Sequence, residues 1–259
     1  RNNGNLTIAC HLNANGATGD ASDSRAKGSL GGYAGGLKSE DGFGPGKGGN
    51  RLYNNDGTGG GYGNLGLAPS WSNTNYGNSY GNLNLNDLLG GSGGGGGQSQ
   101  GGGAGGGAIE LIADGSGILT ISNGALISVN GGDTNSSNRG GGGGAGGSIR
   151  LQGGSIFNHG VLLARGGGIG SDGIADFDGS GGRIAFDSNG TIKIGNYDLS
   201  GHALNNQNAE FCPFPSMDGT ISVSGNFQNQ ELSYSTGSQS SIQPPHSGCT
   251  LTGIMELEW

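Results

Sequence analysis

The chain has 259 residues, 65 of them glycine, and a net charge of −8 from 11 basic and 19 acidic residues. This acidic balance, without a basic run, argues against nucleic acid and anionic lipid surfaces as partners. No window approaches the roughly 18 consecutive apolar residues of a membrane span, so no membrane insertion is predicted. With only 6 prolines and uninterrupted glycine runs, the chain is not a collagen.

The first predicted element is an alternating segment, NLTIACHLNANG, at residues 5–16. Leu6, Ile8, Cys10 and Leu12 recur at every second position, as in a strand with one buried face. We therefore predict Cys10 as a small buried core residue that forms no disulfide. The opening residues contain neither an initiator Met nor a signal-peptide core, so we expect a processed protein or a piece of a longer one.

A long insert at about residues 17–99 mixes aromatic residues with Asn, Ser and Gly. Aromatic faces stack on sugars or protein partners while amides hydrogen-bond, so the insert predicts a recognition surface. The alternative is that the aromatics only pin a long loop onto the fold. The candidate contacts for a ligand or partner are Tyr33, Tyr53, Tyr62, Trp71, Tyr76 and Tyr80.

Three glycine runs lead into the similar segments GGGAIEL, AGGSIRL and SGGRIAF, which align Ile109, Ile149 and Ile184 at spacings of 40 and 35 residues. Each is followed by further segments of period two, such as GILTIS and LISVNGG after the first. No segment has the apolar pattern of period 3.6 that is typical of an amphipathic helix. Three short strands per repeat predict an all-β fold, a parallel β-helix (solenoid) with about three strands per coil.

The alternation assigns a set of side chains to the interior of this β-helix. We interpret the glycine runs as coil corners, where glycine lets backbones approach closely or takes a positive φ, with a flexible linker as the alternative. The predicted inward residues are Ile109, Leu111, Leu119, Ile121, Ile127, Val129, Ile149, Leu151, Ile184 and Ile192.

The succession GGGYGNLG (59–66), YGNLNLNDLLGGSGGGGG (80–97), GGGAGGGAIEL, GGGGGAGGSIRL and GSGGRIAF resembles the glycine-rich parallel β-helix segments of large secreted or cell-surface proteins. The resemblance covers roughly residues 5–202. It implies an adhesin-like or matrix role and supplies no catalytic residues. The insert is more aromatic than a coil corner in that family needs.

Enzyme chemistry has little support in the sequence. Glu110 has no repeating carboxylate partner, and the four histidines have no common spacing. The turn SDGIADFDGSGG (171–182) offers candidate calcium ligands, Asp172, Asp176 and Asp178, although a solvated turn is the alternative. No other cofactor is predicted. The alternative functions are a polysaccharide lyase or glycosidase on a β-helix scaffold, or a monomeric glycan-binding module.

Beyond the β-helix, which is predicted to span residues 1–204, residues 205–259 lose the glycine runs. They predict a β-rich C-terminal cap or docking segment, with strands in GTISVSG (219–225) and TLTGIMELEW (250–259). Cys212 and Cys249 are a candidate disulfide pair in this segment.

The sequence predicts an extracellular or cell-surface structural protein. Sequons at Asn5, Asn135 and Asn189 permit N-glycosylation, and Lys is scarce. Because one end of the β-helix is expected to expose strand edges, we predict a head-to-tail homopolymer, a filament or matrix subunit, while the insert contacts glycans or a cell surface. The predicted assembly residues are Thr250, Leu251, Ile254 and Trp259.

Overall fold

The structure is a computed structural model that describes residues 1–21, 24–50, 56–66, 77–82, 85–134, 140–168, 177–188, 190–193, 196–198, 220–224 and 255–258. In these residues the fold is all-β, with thirteen short strands and almost no helix. Every strand pairing is parallel, as the repeats predicted. Equivalent strands of successive repeats lie side by side and run in the same direction.

The strands form three parallel sheets. Sheet I contains β1 (Leu6–Ile8), β4 (Ile118–Ile121), β7 (Ser155–Asn158) and β10 (Ile192–Lys193). Sheet II contains β2 (His11–Asn13), β5 (Leu126–Ser128), β8 (Val161–Leu163) and β11 (Asn196–Asp198). Sheet III contains β3 (Ala108–Ile112), β6 (Ser148–Gly153), β9 (Arg183–Ser188), β12 (Thr220–Ser224) and β13 (Met255–Glu258).

The register confirms the alignment of the repeats. From β1 to β12, successive strands go to sheets I, II and III in rotation, so each strand pairs with the strand three places later. Ile109 pairs with Ile149, and Ile149 pairs with Ile184. The strands predicted near residues 219–225 and 250–259 are present as β12 and β13, and they extend sheet III.

One apolar cluster receives side chains from all three sheets and is the main core. All ten predicted inward residues belong to it. Ile109 and Leu111 are only partly buried, because they lie on the edge strand β3. Among the described residues, no further strand pairs with the free edge of β3. The other eight are completely buried: Leu119, Ile121, Ile127, Val129, Ile149, Leu151, Ile184 and Ile192.

The prediction that Cys10 is a buried core residue is wrong. Cys10 is exposed and carries a free thiol. The alternating segment is not one strand but two, since β1 ends at Ile8 and β2 begins at His11. Cys10 therefore lies in the bend between two sheets, where the alternation of inward and outward side chains is interrupted.

The glycine runs are packed structure rather than linkers. In residues 101–107, successive amides donate in rotation to three different neighbouring segments. This three-residue period is that of polyproline II backbone, which has no internal hydrogen bonds and here bonds to its neighbours instead. The acceptors are Asp20, Ala17 and Ala14 in one segment, Gly36 and Tyr33 in the second, and Gly142 and Ala145 in the third.

Residues 142–147 have the same three-way pattern. Together the runs form what we call the glycine bundle, defined as residues 14–20, 30–36, 57–63, 91–97, 101–107, 129–134, 140–147 and 177–182. A Cβ on Gly142 would overlap the carbonyl oxygen of Thr58, and one on Gly103 would overlap that of Gly132. Close backbone approach is thus what these positions require, and none of the glycines in residues 91–107 or 140–147 has a positive φ.

Candidate functional site

The predicted contact residues Tyr62 and Tyr80 lie against the outer face of sheet III, away from the main core. A second apolar cluster forms there from Tyr62, Leu85, Ala145 and Ala185, with Tyr80 and Leu89 packed at its side. Alternation along β6 and β9 directs Ser148 and Arg183 to this face, opposite Ile149 and Ile184. The insert therefore covers part of a sheet rather than standing free as a loop.

We call Tyr62, Tyr80, Ser148 and Arg183 the tyrosine–arginine cluster. The hydroxyl of Tyr62 lies 2.5 Å from Ser148 Oγ, and the ring centroids of Tyr62 and Tyr80 are 4.8 Å apart. Arg183 Nη2 donates to the carbonyl oxygens of Tyr80 at 2.9 Å and Tyr62 at 3.3 Å. Its guanidinium also lies 5.2 Å from the centroid of the Tyr62 ring, a cation–π contact.

Burial dominates the electrostatics of this cluster. It raises the pKa of Tyr62 and of Tyr80 above the usual value of 10.0, because a phenolate would lose its hydration there. Burial likewise lowers the pKa of Arg183 from its usual value. Both hydroxyls are therefore neutral at physiological pH, and each can donate and accept a hydrogen bond.

Tyr80 and Ser92 connect the cluster to the glycine bundle. The Tyr80 hydroxyl donates to Gly90 O at 2.5 Å, and Ser92 Oγ donates to the Tyr80 hydroxyl at 3.0 Å. Ser92 Oγ also accepts from the amide of Gly46 at 3.0 Å. The cluster thus ties sheet III, the insert and the glycine bundle to one another.

The remaining predicted contacts are less enclosed or lie elsewhere. Tyr33 is half-buried, and its backbone bonds to Gly91 O and to the amide of Gly105, so it belongs to the glycine bundle. Phe43, also in the insert, is 44% exposed, with Arg25 4.9 Å from its ring centroid. Tyr53, Trp71 and Tyr76 are outside the described residues.

The outer face of sheet III also carries a charged row beside the cluster. Arg150 on β6 donates to Glu110 on β3 at 2.8 Å and to Asp187 on β9 at 3.2 Å. The three side chains are partly exposed, so each ion pair stabilises the fold by less than about 1 kcal/mol. Glu110 and Asp187 are held by the same cation rather than facing each other across an open groove.

The structure describes only one of the three predicted calcium ligands. Asp178 is fully buried, while Asp172 and Asp176 lie outside the described residues. Within the described part of the chain, no three His, Cys, Asp or Glu side chains are grouped as metal ligands would be. That part also has no helix long and apolar enough to cross a membrane.

Several other predicted residues are outside the described ranges, and for these the predictions stand as made. Asn5 is described: it is exposed, and its Oδ1 accepts from the amide of Ile118 at 2.9 Å. The residues outside are the disulfide pair Cys212 and Cys249, the sequons Asn135 and Asn189, and the assembly residues Thr250, Leu251, Ile254 and Trp259.

Sequence reasoning missed a ladder of asparagines that follows the strands of sheet II. Asn15 Oδ1 accepts from the amide of Asn130 at 2.7 Å, and Asn130 Oδ1 accepts from the amide of Arg165 at 2.9 Å. Each asparagine thus bonds to the equivalent position of the next repeat. The signal was present, because HLNANG and LISVNGG both place Asn-Gly directly after the predicted strand.

No family model matches the chain, and no similar protein was found among curated sequences or solved structures.

Proposed function

We propose that the three sheets close on one another into a parallel β-helix, and that the protein is an extracellular structural or adhesive subunit rather than an enzyme. The closure is supported by the single core cluster, since Leu119 of sheet I, Ile127 of sheet II and Ile149 of sheet III all belong to it. The glycine bundle would then be a second rigid body joined to the β-helix by shared hydrogen bonds.

A structural role is supported by where the reactive side chains are used. Glu110 and Asp187, which could have served as a carboxylate pair, both bond to Arg150. Of the two tyrosines of the cluster, Tyr62 is buried and Tyr80 is partly buried, and both are neutral. These groups contribute to packing and to ion pairs, as expected of a structural protein.

The observation that carries the assembly proposal is the position of the first three strands. β1, β2 and β3 each stand at the edge of a different sheet, and each sheet grows from that edge in the same chain order. Because all pairings are parallel, a second copy stacked head-to-tail would continue them without reversing direction. An open strand edge favours such addition.

Some backbone groups on the open edge of β3 already form hydrogen bonds within the chain. We therefore place the proposed interface at the edges of β1 and β2. The amide of Ala108 donates to Leu30 O at 2.8 Å, and Ile112 O accepts from the amide of Asn2 at 2.9 Å. On β1, Ile8 O accepts from Ser122 on the β4 side, so the N–H and C=O of Thr7 face the open edge. Thr7 is the position at which to test strand addition.

The test compares Thr7→Pro with Thr7→Ala by sedimentation velocity over a range of concentrations and by negative-stain microscopy. Proline removes the outward N–H of Thr7, whereas alanine keeps it. We expect polymers from the unaltered chain and from Thr7→Ala, and their loss in Thr7→Pro and after deletion of residues 250–259. A chain that stays monomeric at every concentration would refute self-association; polymers untouched by both changes would refute this interface.

A contact surface on the insert is the second part of the proposal. Phe43 is the exposed aromatic side chain of the described insert, and a ring beside a cation suits stacking on a sugar or a partner side chain. Binding of the folded protein to a panel of immobilised glycans, with Phe43→Ala as the variant, tests it. Binding that is equal in both proteins would exclude Phe43 from the surface.

A further inference from the structure

Asn-Gly dipeptides recur in this chain at Asn3, Asn15, Asn123 and Asn130 in the described residues. At such a pair the backbone nitrogen of glycine attacks the asparagine side-chain carbon Cγ, and ammonia leaves as a cyclic succinimide forms. Water then opens the ring to aspartate or to isoaspartate. The attack needs a glycine N–H that is free of hydrogen bonds and an amide side chain that is free to turn, and glycine hinders it least.

Two of the four pairs are locked by the asparagine ladder. The amide of Gly16 donates to Asn130 O at 2.8 Å, and the amide of Gly131 donates to Arg165 O at 2.8 Å. The side chains are held as well, because Asn15 Oδ1 accepts from Ser128 Oγ at 2.6 Å and Asn130 Oδ1 accepts from the amide of Arg165. Neither requirement of the reaction is met while these bonds are closed.

The pair Asn123–Gly124 has the opposite surroundings. It occupies the middle of the turn between β4 and β5, closed by the bond from Ala125 N to Ser122 O at 3.0 Å. Both residues are exposed, and Gly124 has a φ of 80°. Among the described residues, neither the Asn123 side chain nor the Gly124 amide has a hydrogen-bond partner.

Asn3–Gly4 shares these features. Asn3 is exposed, Gly4 has a φ of 120°, and a Cβ on Gly4 would meet no atom within 4 Å. Neither the Asn3 side chain nor the Gly4 amide has a hydrogen-bond partner among the described residues. The same dipeptide therefore occurs twice in a closed environment and twice in an open one.

We propose that Asn123 and Asn3 are sites of spontaneous deamidation in the folded protein, and that Asn15 and Asn130 are protected by their hydrogen bonds. At Asn123 the product adds a carboxylate to the β4–β5 turn, next to His11, whose Nε2 lies 3.2 Å from Gly124 O. The isoaspartate form also lengthens the main chain of this turn by one carbon.

The test is peptide mapping by mass spectrometry of the full chain after incubation at mildly alkaline pH, once folded and once in guanidinium chloride. In denaturant the four sites should convert at similar rates. In the folded protein we expect Asn123 and Asn3 to convert at least roughly tenfold faster than Asn15 and Asn130, since the latter react only in locally opened molecules.

Two variants give the matched controls. Asn123→Gln should abolish the mass change in its peptide, and Gly124→Ala should slow it by crowding the attacking nitrogen. Conversion of Asn130 as fast as that of Asn123 in the folded chain would overturn the proposal. So would an intact Asn123 in a folded sample whose denatured counterpart has converted.

Discussion

The amide nitrogen of Gly103 lies 2.9 Å from the carbonyl oxygen of Gly142, and this bond joins two glycine runs that the sequence alone would allow to be loops. Gly142 in turn donates to Gly95 O, so three runs are linked through consecutive bonds. Backbones can lie this close only where no side chain stands between them. The glycine content is thus a requirement of packing.

Gly103→Ala should destabilise the protein severely, by more than about 4 kcal/mol, because the new Cβ overlaps the carbonyl oxygen of Gly132 in a fully packed interior. In a flexible linker the same change would be neutral or stabilising by about 0.4–1 kcal/mol. Urea denaturation followed by circular dichroism measures the difference.

Gly124→Ala is the control for that experiment. A Cβ there meets no atom within 4 Å, and only the φ of 80° opposes it, at about 1–2 kcal/mol. Similar losses in Gly103→Ala and Gly124→Ala would mean that backbone conformation, and not close approach, explains the glycines.

Tyr62 should be the most important aromatic side chain of the insert for stability. Tyr62→Ala removes a completely buried ring and should cost about 3–5 kcal/mol. Tyr62→Phe loses only the hydroxyl that contacts Ser148, at about 1 kcal/mol, since Ser148 Oγ still donates to Leu89 O. Phe43→Ala, at an exposed ring, should cost less than about 1 kcal/mol. Equal losses at Tyr62 and Phe43 would contradict this assignment.

The free energy of unfolding should fall at alkaline pH. Burial raises the pKa of Tyr62 and Tyr80 in the folded state, so the unfolded chain releases these protons first. The stabilisation is complete below the usual tyrosine pKa of 10.0 and is lost as the pH rises through that value toward the folded pKa. Urea midpoints measured up to about pH 11 should fall, and less steeply in Tyr62→Phe. A slope unchanged in this variant would remove Tyr62 from the explanation.

Asn5 should accept an N-linked glycan when the chain is directed through a eukaryotic secretory pathway. Its side chain is exposed, and the contact with Ile118 uses Oδ1 and leaves the amide nitrogen, the atom that carries the glycan, unused. Intact mass before and after glycosidase treatment, with Asn5→Gln as control, measures this. An unmodified Asn5 in secreted protein that carries other glycans would refute the prediction.

The strand pairing within the sheets could be predicted from the sequence, whereas the packing of the glycine bundle could not. Alternation and repetition identify Ile109, Ile149 and Ile184 as partners because side chains in a strand have a fixed period and stacked repeats share one register. Glycine carries no side chain, so a run such as residues 101–107 has no pattern from which its neighbours could be read. The partners of its amides are known only once the chain is folded.

The same limit applies at single residues. Cys10 continues an apolar alternation in sequence, but the chain bends there between β1 and β2, and nothing in its neighbours marks the bend. Tyr62 lies in an insert whose composition predicts a surface contact, yet its side chain is buried. Ser148 and Arg183, which are distant from it in sequence, form hydrogen bonds with Tyr62 in this buried position. Burial of a polar aromatic residue depends on partners that are distant in sequence, and amino-acid composition does not identify these partners.

Hydrogen exchange of the glycine amides distinguishes hydrogen-bonded glycine runs from flexible loops. If the glycine runs are hydrogen-bonded structure, the amides of Gly91 and of residues 93–96, 101–107 and 142–147 should exchange as slowly as those of β6 and β9, because each donates to a carbonyl oxygen of a neighbouring segment. The exposed turn at Gly124 supplies a fast-exchanging reference within the same molecule. Glycine runs that exchange at the rate of this turn, while the strands remain protected, would show that these runs are flexible loops.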